Sequence, residues 1–178
     1  MKEATSQEIV IVVGGDALAL RVCAELCARK THDVRLVWHD NPQHASYAEA
    51  CGAQFVPGTP DDPVILDFAG IEDAQTVMAI DVDDRVNLDV ALSARELNGS
   101  VRLIIGQFNR AMARKIEQNL SNCSVISLAS HSAATFAAAA IDPSCFHALE
   151  FPDHSGSLVG FSERRASEFG VAGCTPEE

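Results

Sequence analysis

The chain has 178 residues, 47% hydrophobic and 21% charged, and its 13 Lys+Arg against 25 Asp+Glu leave a net charge of −12. That length fits one compact domain with a sizeable core and little beyond it, while so acidic a surface repels phosphate backbones and excludes nucleic acid as an expected partner. The longest strongly apolar runs, residues 9–13 and 133–141, fall well short of the ~20 residues of a membrane helix, and no apolar signal core follows Met1, so the expectation is a cytoplasmic chain that does not itself enter a membrane.

Residues 8–13 are a short β-branched run and predict a buried strand. Leu18, Val22, Cys23 and Leu26 then recur at helical spacing, with Arg21, Glu25 and Arg29 on the other side. Residues 34–38 predict a second strand, 44–51 a short helix and 53–56 a third strand. Asp62-Pro63 reads as an N-cap followed by proline at the first helical position, leading a helix over 64–68. Residues 76–80 predict a fourth strand. Val86, Val90, Ala94 and Leu97 then share one face of a helix over 85–97, and Asn98-Gly99 supplies a left-handed stop. A fifth strand covers 101–105, and Asn109 caps a helix carrying Met112, Ile116 and Leu120. A sixth strand covers 124–128, and Ser130 caps an alanine-rich helix over 132–141. Beyond Pro143 the pattern weakens: 146–151 and 157–161 read as a hairpin around Asp153-His154-Ser155-Gly156, and 170–178 as a linker.

Six short apolar strands that alternate with helices, and lack polar alternation of their own, predict a doubly wound parallel sheet with helices on both faces. The expected organisation is a domain over 1–142 and a C-terminal extension over 143–178. Six cysteines stand at 23, 27, 51, 123, 145 and 174. Cys23 and Cys27 share a helix face, there is no CxxC, and the expected role is apolar packing rather than redox chemistry.

In such sheets a ligand sits beyond the carboxyl ends of the strands, most often where the first strand meets its helix. That turn reads Gly14-Gly15-Asp16-Ala17-Leu18-Ala19. The dinucleotide fingerprint G-x-G-x-x-G requires glycine at 14, 16 and 19, and only Gly14 fits. Ala19 is a mild change, because a small residue still allows close packing. Asp16 stands where bare backbone approaches a pyrophosphate. A helix N-terminus stabilises an exposed anion by roughly 0.3–1 kcal/mol. Two like charges ~4 Å apart repel by about 1 kcal/mol in water and about 4 kcal/mol near a protein surface. Asp16 is therefore expected to cap the helix through the amide of Leu18 or Ala19 and to act as a built-in anion; a plain cap predicts the same weak phosphate binding.

The second strand ends in Trp38 where an acid for the ribose hydroxyls belongs, and His39-Asp40 follows. Asp40 offers a substitute, and Trp38 could stack on a base, although packing and an exposed polar turn explain these residues more simply. His39, Asp40 and His44 match no strong metal spacing. Asp81, Asp83 and Asp84 cluster at the carboxyl end of the fourth strand, where capping is favoured over cation binding.

The stretch Ala69-Gly70-Ile71-Glu72-Asp73-Ala74, the strand at 77–80, then Asp83-Asp84-Arg85-Val86-Asn87 and Ala94-Arg95-Glu96-Leu97-Asn98 are distinctive together. They resemble the RCK N-terminal (TrkA-N) family, regulators of potassium channels and transporters. The resemblance covers roughly residues 8–141, and Gly52-Ala53 and Gly58 also fit. It implies a Rossmann-like sheet that dimerises, changes shape with a bound nucleotide or ion, and acts on a membrane-embedded pore subunit or domain. The implied cofactor is NAD(H) or an adenine nucleotide, and the implied cleft positions are Gly14, Gly15, Asp16, Ala17, Trp38, His39, Asp40, Thr59, Asp81 and Gln107.

The sequence departs from the family at that cleft. Asp16 and Ala19 break the glycine loop, Trp38 replaces the ribose acid, Thr59 replaces the acid after the third strand, and Gln107 stands where a phosphate-contacting Arg follows the fifth. The expectation is a regulatory domain kept for assembly or for a different ligand, without family-type nucleotide binding. The helix at 132–141, small and apolar on nearly every side, is expected to form a homodimer, with burial in its own domain as the alternative. No catalytic constellation is evident, since Ser130-His131-Ser132 lacks the G-x-S-x-G elbow. A nucleotide-binding oxidoreductase-like protein and a ligand-free interaction module are the competing readings.

Overall fold

The computed structural model describes residues 7–150 and 158–163. The chain divides into two compact units, Met1–Ser127 and Leu128–Glu178. In the first unit β1 (Glu8–Val13), α1 (Ala17–Arg29), β2 (His32–Trp38), α2 (Pro42–Cys51), β3 (Gln54–Pro57), α3 (Pro63–Phe68), a 3-10 turn (Ile71–Asp73), β4 (Ala74–Ala79), α4 (Asp84–Leu97), β5 (Arg102–Gly106), α5 (Arg110–Asn119) and β6 (Cys123–Ile126) follow one another. The six strands pair in parallel in the order β3-β2-β1-β4-β5-β6. This is the expected α/β, Rossmann-like doubly wound sheet, with its order reversing between β1 and β4.

Two apolar layers cover the sheet. Ile11 and Val13 of β1 point with Val77, Leu103 and Ile105 into a core closed by Leu66 of α3, Val90, Ala91 and Ala94 of α4, and Ile116 of α5. Val10, Val12, Val34 and Leu36 point the other way, under Ala19 and Cys23 of α1 and Ala48 of α2. A strand buried on both faces has no room for polar alternation, which is why β1 reads as a continuous apolar run. Helix starts follow local capping chemistry. The side chains of Asn41, Asp62, Asp83 and Asn109 accept from backbone amides at the starts of α2, α3, α4 and α5, and Pro42 and Pro63 stand in the first turns of α2 and α3.

Three local expectations are corrected. Asn98 closes α4 in extended backbone, φ −134° and ψ 96°, and takes no left-handed turn. Its side-chain amide instead donates to the carbonyls of Ile71, Glu72 and Ala74 at 2.9–3.2 Å, pinning the end of α4 to the turn before β4. β4 begins at Ala74, two residues ahead of the predicted start, in register with Ile9 of β1. The last helix begins at Leu128, soon after β6 has ended at Ile126, so Ser130 lies within the helix and not ahead of it.

The second unit consists of α6 (Leu128–Ile141) and the antiparallel pair β7 (Cys145–Glu150) and β8 (Leu158–Ser162). Its small core joins Ala134 and Ala138 of α6 to Cys145 and Ala148 of β7. The Thr135 hydroxyl fastens helix to strand, accepting from the Ala148 amide at 3.2 Å and donating to the Ala148 carbonyl at 3.3 Å. The predicted hairpin is thus a β pair; its turn at 153–156 and the predicted linker at 170–178 lie outside the described residues. The division at 127/128 comes one helix earlier than the expected boundary at 142/143. Among the described residues of α6, Ala134 is buried and Ala138 half-buried, whereas Ala133, Ala137 and Ala140 are exposed and Phe136 is 76% exposed. Among the described residues no helix is long and apolar enough to cross a membrane.

Candidate functional site

The order reversal places the carboxyl ends of β1 and β4 side by side, with the β1–α1 turn above them. Gly14 has φ +153°, and a Cβ there would meet the Ala19 Cβ at 2.9 Å and the Ile80 carbonyl oxygen at 3.3 Å. Gly14 and Ala19 therefore keep the close helix–strand approach that the glycine fingerprint serves, even though Ala19 is not glycine. Asp16, extended at φ −88° and ψ 176°, caps α1: its Oδ1 accepts from the Ala19 amide at 2.9 Å. Of the two amides that the sequence offered, Ala19 is the one used. The carboxylate thus holds a donor that a bound phosphate would otherwise take from the same helix terminus.

Trp38 closes the turn from the neighbouring strand. Val13 and Val37 are register partners in the β1–β2 ladder, so the chain leaving β1 meets the end of β2. The indole of Trp38 lies against Gly15 so closely that a Cβ at Gly15 would clash with the ring, with Nε1 the nearest atom. His39 stands edge-on to that indole, its centroid 5.0 Å away. Gly15 is therefore the seat of an aromatic ring. Trp38 is half-buried, whereas Ala17, His39, Asp40 and Thr59 are exposed. His44 lies on α2 with its ring edge toward Phe55, and among the described residues no group of three His, Cys, Asp or Glu is placed to hold a metal ion.

A second polar cluster joins β4, α4 and β5. Asp81 is 7% exposed, and its Oδ1 accepts from the Asp83 amide at 2.9 Å. Asp83 caps α4 by accepting from the Arg85 amide at 2.9 Å and pairs with the Arg85 guanidinium at 3.0 Å. Hydrogen bonds from Arg85 hold the Asp83 carboxyl below its usual range. Asp84 reaches the next loop, accepting from the Phe108 amide at 3.0 Å and from Gln107 Nε2 at 2.8 Å. Gln107 is 4% exposed, and its Oε1 has no partner.

Asn87, 1% exposed, is the residue that sequence reasoning left without a role. Its Oδ1 accepts from the Asp81 amide at 2.7 Å, and its Nδ2 donates to the carbonyls of Asp81 at 2.8 Å and Gly106 at 3.0 Å. It therefore ties the carboxyl ends of β4 and β5 together. The D-D-x-x-N spacing itself was the available signal. The first Asp caps the helix, the second reaches the neighbouring loop, and the Asn one turn later faces inward over the strand ends. The three aspartates thus carry capping and bridging duties around β4, α4 and β5, while Asp16 and Trp38 each act on the β1–α1 turn, through Ala19 and Gly15 respectively.

The comparisons with known proteins bear on this arrangement. Residues 10–128 match the family model of the TrkA-N domain. A search of curated proteins finds no match. Among solved structures, the NAD(P)-binding domain of an exopolyphosphatase-related protein from Archaeoglobus fulgidus is similar at 21% identity and TM-score 0.62, over 74% of this chain and 96% of that one. The TrkA-N domain of the inner membrane protein YbaL from Escherichia coli is similar at 16% identity and TM-score 0.62, over 76% and 97%. The GsuK channel bound to NAD matches at 20% identity and TM-score 0.62 over 88% of this chain, which spans only 27% of that one. At these identities the likeness establishes the fold. The family model goes further, because the span it matches holds the capped glycine turn, the Asn98 pin and the Asn87 tie in one continuous stretch. Covering most of the 178 residues, that match shows that the chain belongs to the TrkA-N domain family.

Proposed function

We propose that this chain is a regulatory domain of a potassium channel or transporter system, acting at the cytoplasmic face through pairing and shape change rather than catalysis. Membership of the TrkA-N family supports the regulatory reading, as do the similar RCK domains of the GsuK channel. The finer part of the proposal concerns the cleft. GsuK has been solved with NAD and a Shewanella denitrificans Kef C-terminal domain with AMP. In this chain, by our reading, the corresponding place is filled by its own side chains.

The observation that carries this is the joint position of Asp16 and Trp38. A carboxylate already accepts from the Ala19 amide in the first turn of α1, and an indole already covers Gly15. A diphosphate would face the negative charge of Asp16 and would have to displace Trp38. Calorimetric titration of NAD+, NADH, ADP and AMP into the protein tests the proposal. Saturable binding in the micromolar range would refute the closed cleft. Replacing both residues, Asp16→Gly with Trp38→Asp, is expected to strengthen dinucleotide binding at least tenfold, equivalent to about 1.4 kcal/mol.

Pairing is assigned to the outer stripe of α6. Ala133, Ala137 and Ala140 lie exposed beside Phe136, and small residues let a second helix approach closely. Sedimentation is expected to show a dimer, and Phe136→Asp a monomer; a monomer at high concentration of the unmodified chain would contradict the assignment.

A further inference from the structure

Charge is unevenly spread along this chain. Residues 36–84 hold ten of the 25 acidic residues and neither Lys nor Arg. The two arginines that bracket the stretch are both paired: Arg35 with Asp33 at 2.8 Å, and Arg85 with Asp83 at 3.0 Å. Arg35 is also turned inward, donating to the Ala69 carbonyl at 2.9 Å.

α3 lies inside this stretch. Leu66 and, just beyond the helix, Ala69 point into the core. Val64 and Phe68 stand one turn apart and therefore share the outer face, 59% and 74% exposed. Phe68 is the most exposed large apolar side chain among the described residues of the first unit. Leu97 is exposed as well, and it comes to the end of α3 because the neighbouring Asn98 donates to the Ile71 carbonyl at 2.9 Å. Asp61, Asp62, Asp67, Glu72 and Asp73, all exposed, flank the two apolar side chains of α3 along the chain.

We propose that the outer face of α3 is a docking surface for a basic amphipathic helix of a partner protein, one whose apolar side chains lie between Lys and Arg. Val64 and Phe68 supply the dry contact, and the acids around them attract and orient the incoming cations. Charge selects this occupant. A second copy of the chain would bring the same acids face to face, and anionic lipid would be repelled in the same way. The surface uses no residue of the turn at 14–19 or of α6, so its occupancy is independent of nucleotide and of pairing.

The probe is a fluorescein-labelled peptide of about 18 residues, five helical turns, made of Leu and Lys with Leu on one helix face. It is titrated into the full chain and followed by anisotropy. Saturable binding is expected, weakened about tenfold or more by Phe68→Ser and, separately, by Asp61→Asn combined with Asp67→Asn. These side chains are exposed, so the urea midpoints should stay unchanged. Phe146→Ser removes a 66% exposed ring from β7 and should leave the affinity as it was. A peptide of the same composition, shuffled so that no apolar face forms, should bind about tenfold more weakly or worse. Absence of saturable binding, equal affinity for the shuffled peptide, unchanged affinity in either α3 variant, or an equal loss in Phe146→Ser would each overturn the proposal.

Discussion

Gly15 and Trp38 form a pair in which Gly15 cannot gain a side chain while the indole keeps its place. A Cβ on Gly15 would clash with the indole, so Gly15→Ala must either displace Trp38 or overpack the turn. Overpacking costs about 1–3 kcal/mol. Trp38 is the protein's one tryptophan, so its fluorescence reports the outcome directly. The expectation is a shifted emission together with a lowered urea midpoint; an unchanged spectrum would mean that the indole does not rest on Gly15. Asn87 supports a larger effect. Asn87→Ala strands the Asp81 amide and the carbonyls of Asp81 and Gly106 in a buried place. Each unsatisfied buried group costs about 1–3 kcal/mol, and a total loss of about 3 kcal/mol should appear in equilibrium unfolding. The place of Trp38 was hidden in the sequence because Gly15 and Trp38 are distant along the chain. Only the parallel register that opposes Val13 to Val37 brings them together.

Helix termini give sharper contrasts. If Asp16 caps α1 as its bond to Ala19 indicates, Asp16→Ala should cost about 1 kcal/mol and Asp16→Gly only a few tenths. Equal losses would point to a role other than capping. Asp83 at the start of α4 makes stability depend on acid. Its folded carboxyl is held below the usual value by Arg85, so its contribution is fully present above the unfolded value and is lost as pH falls through the folded one. Asp83→Asn should therefore flatten the acid limb of an unfolding profile and leave neutral pH nearly flat; an unchanged acid limb would count against the Asp83–Arg85 pair. Elements with two concordant signals were legible. Asp62-Pro63 combined a cap with a pre-set backbone, and α3 begins there. The start of α6 was not legible, because Ser130 mimics a cap inside a helix that has already begun at Leu128. Asn98-Gly99 misled in the same way, since the Asn98 side chain is drawn to the carbonyls before β4 and leaves its backbone extended.

At the level of the complete chain, alternation of apolar runs with helices was enough to specify the parallel sheet, because strands buried on both faces leave an unbroken apolar signature. The cleft was legible only in part. Asp16 could be placed by its position in the turn, whereas the seat of Trp38 on Gly15 and the inward role of Asn87 exist only once the strands and helices are packed. Family membership is shown, and the proposed closure of the turn at 14–19 to nucleotides by Asp16 and Trp38 is the part that needs a direct test. The most direct test is a crystal structure grown with NAD in large excess. The filled-turn reading predicts the Trp38 indole still seated on Gly15, Asp16 still bonded to the Ala19 amide, and no ligand over residues 14–19. A dinucleotide lying across that turn, with Trp38 swung aside, would contradict it.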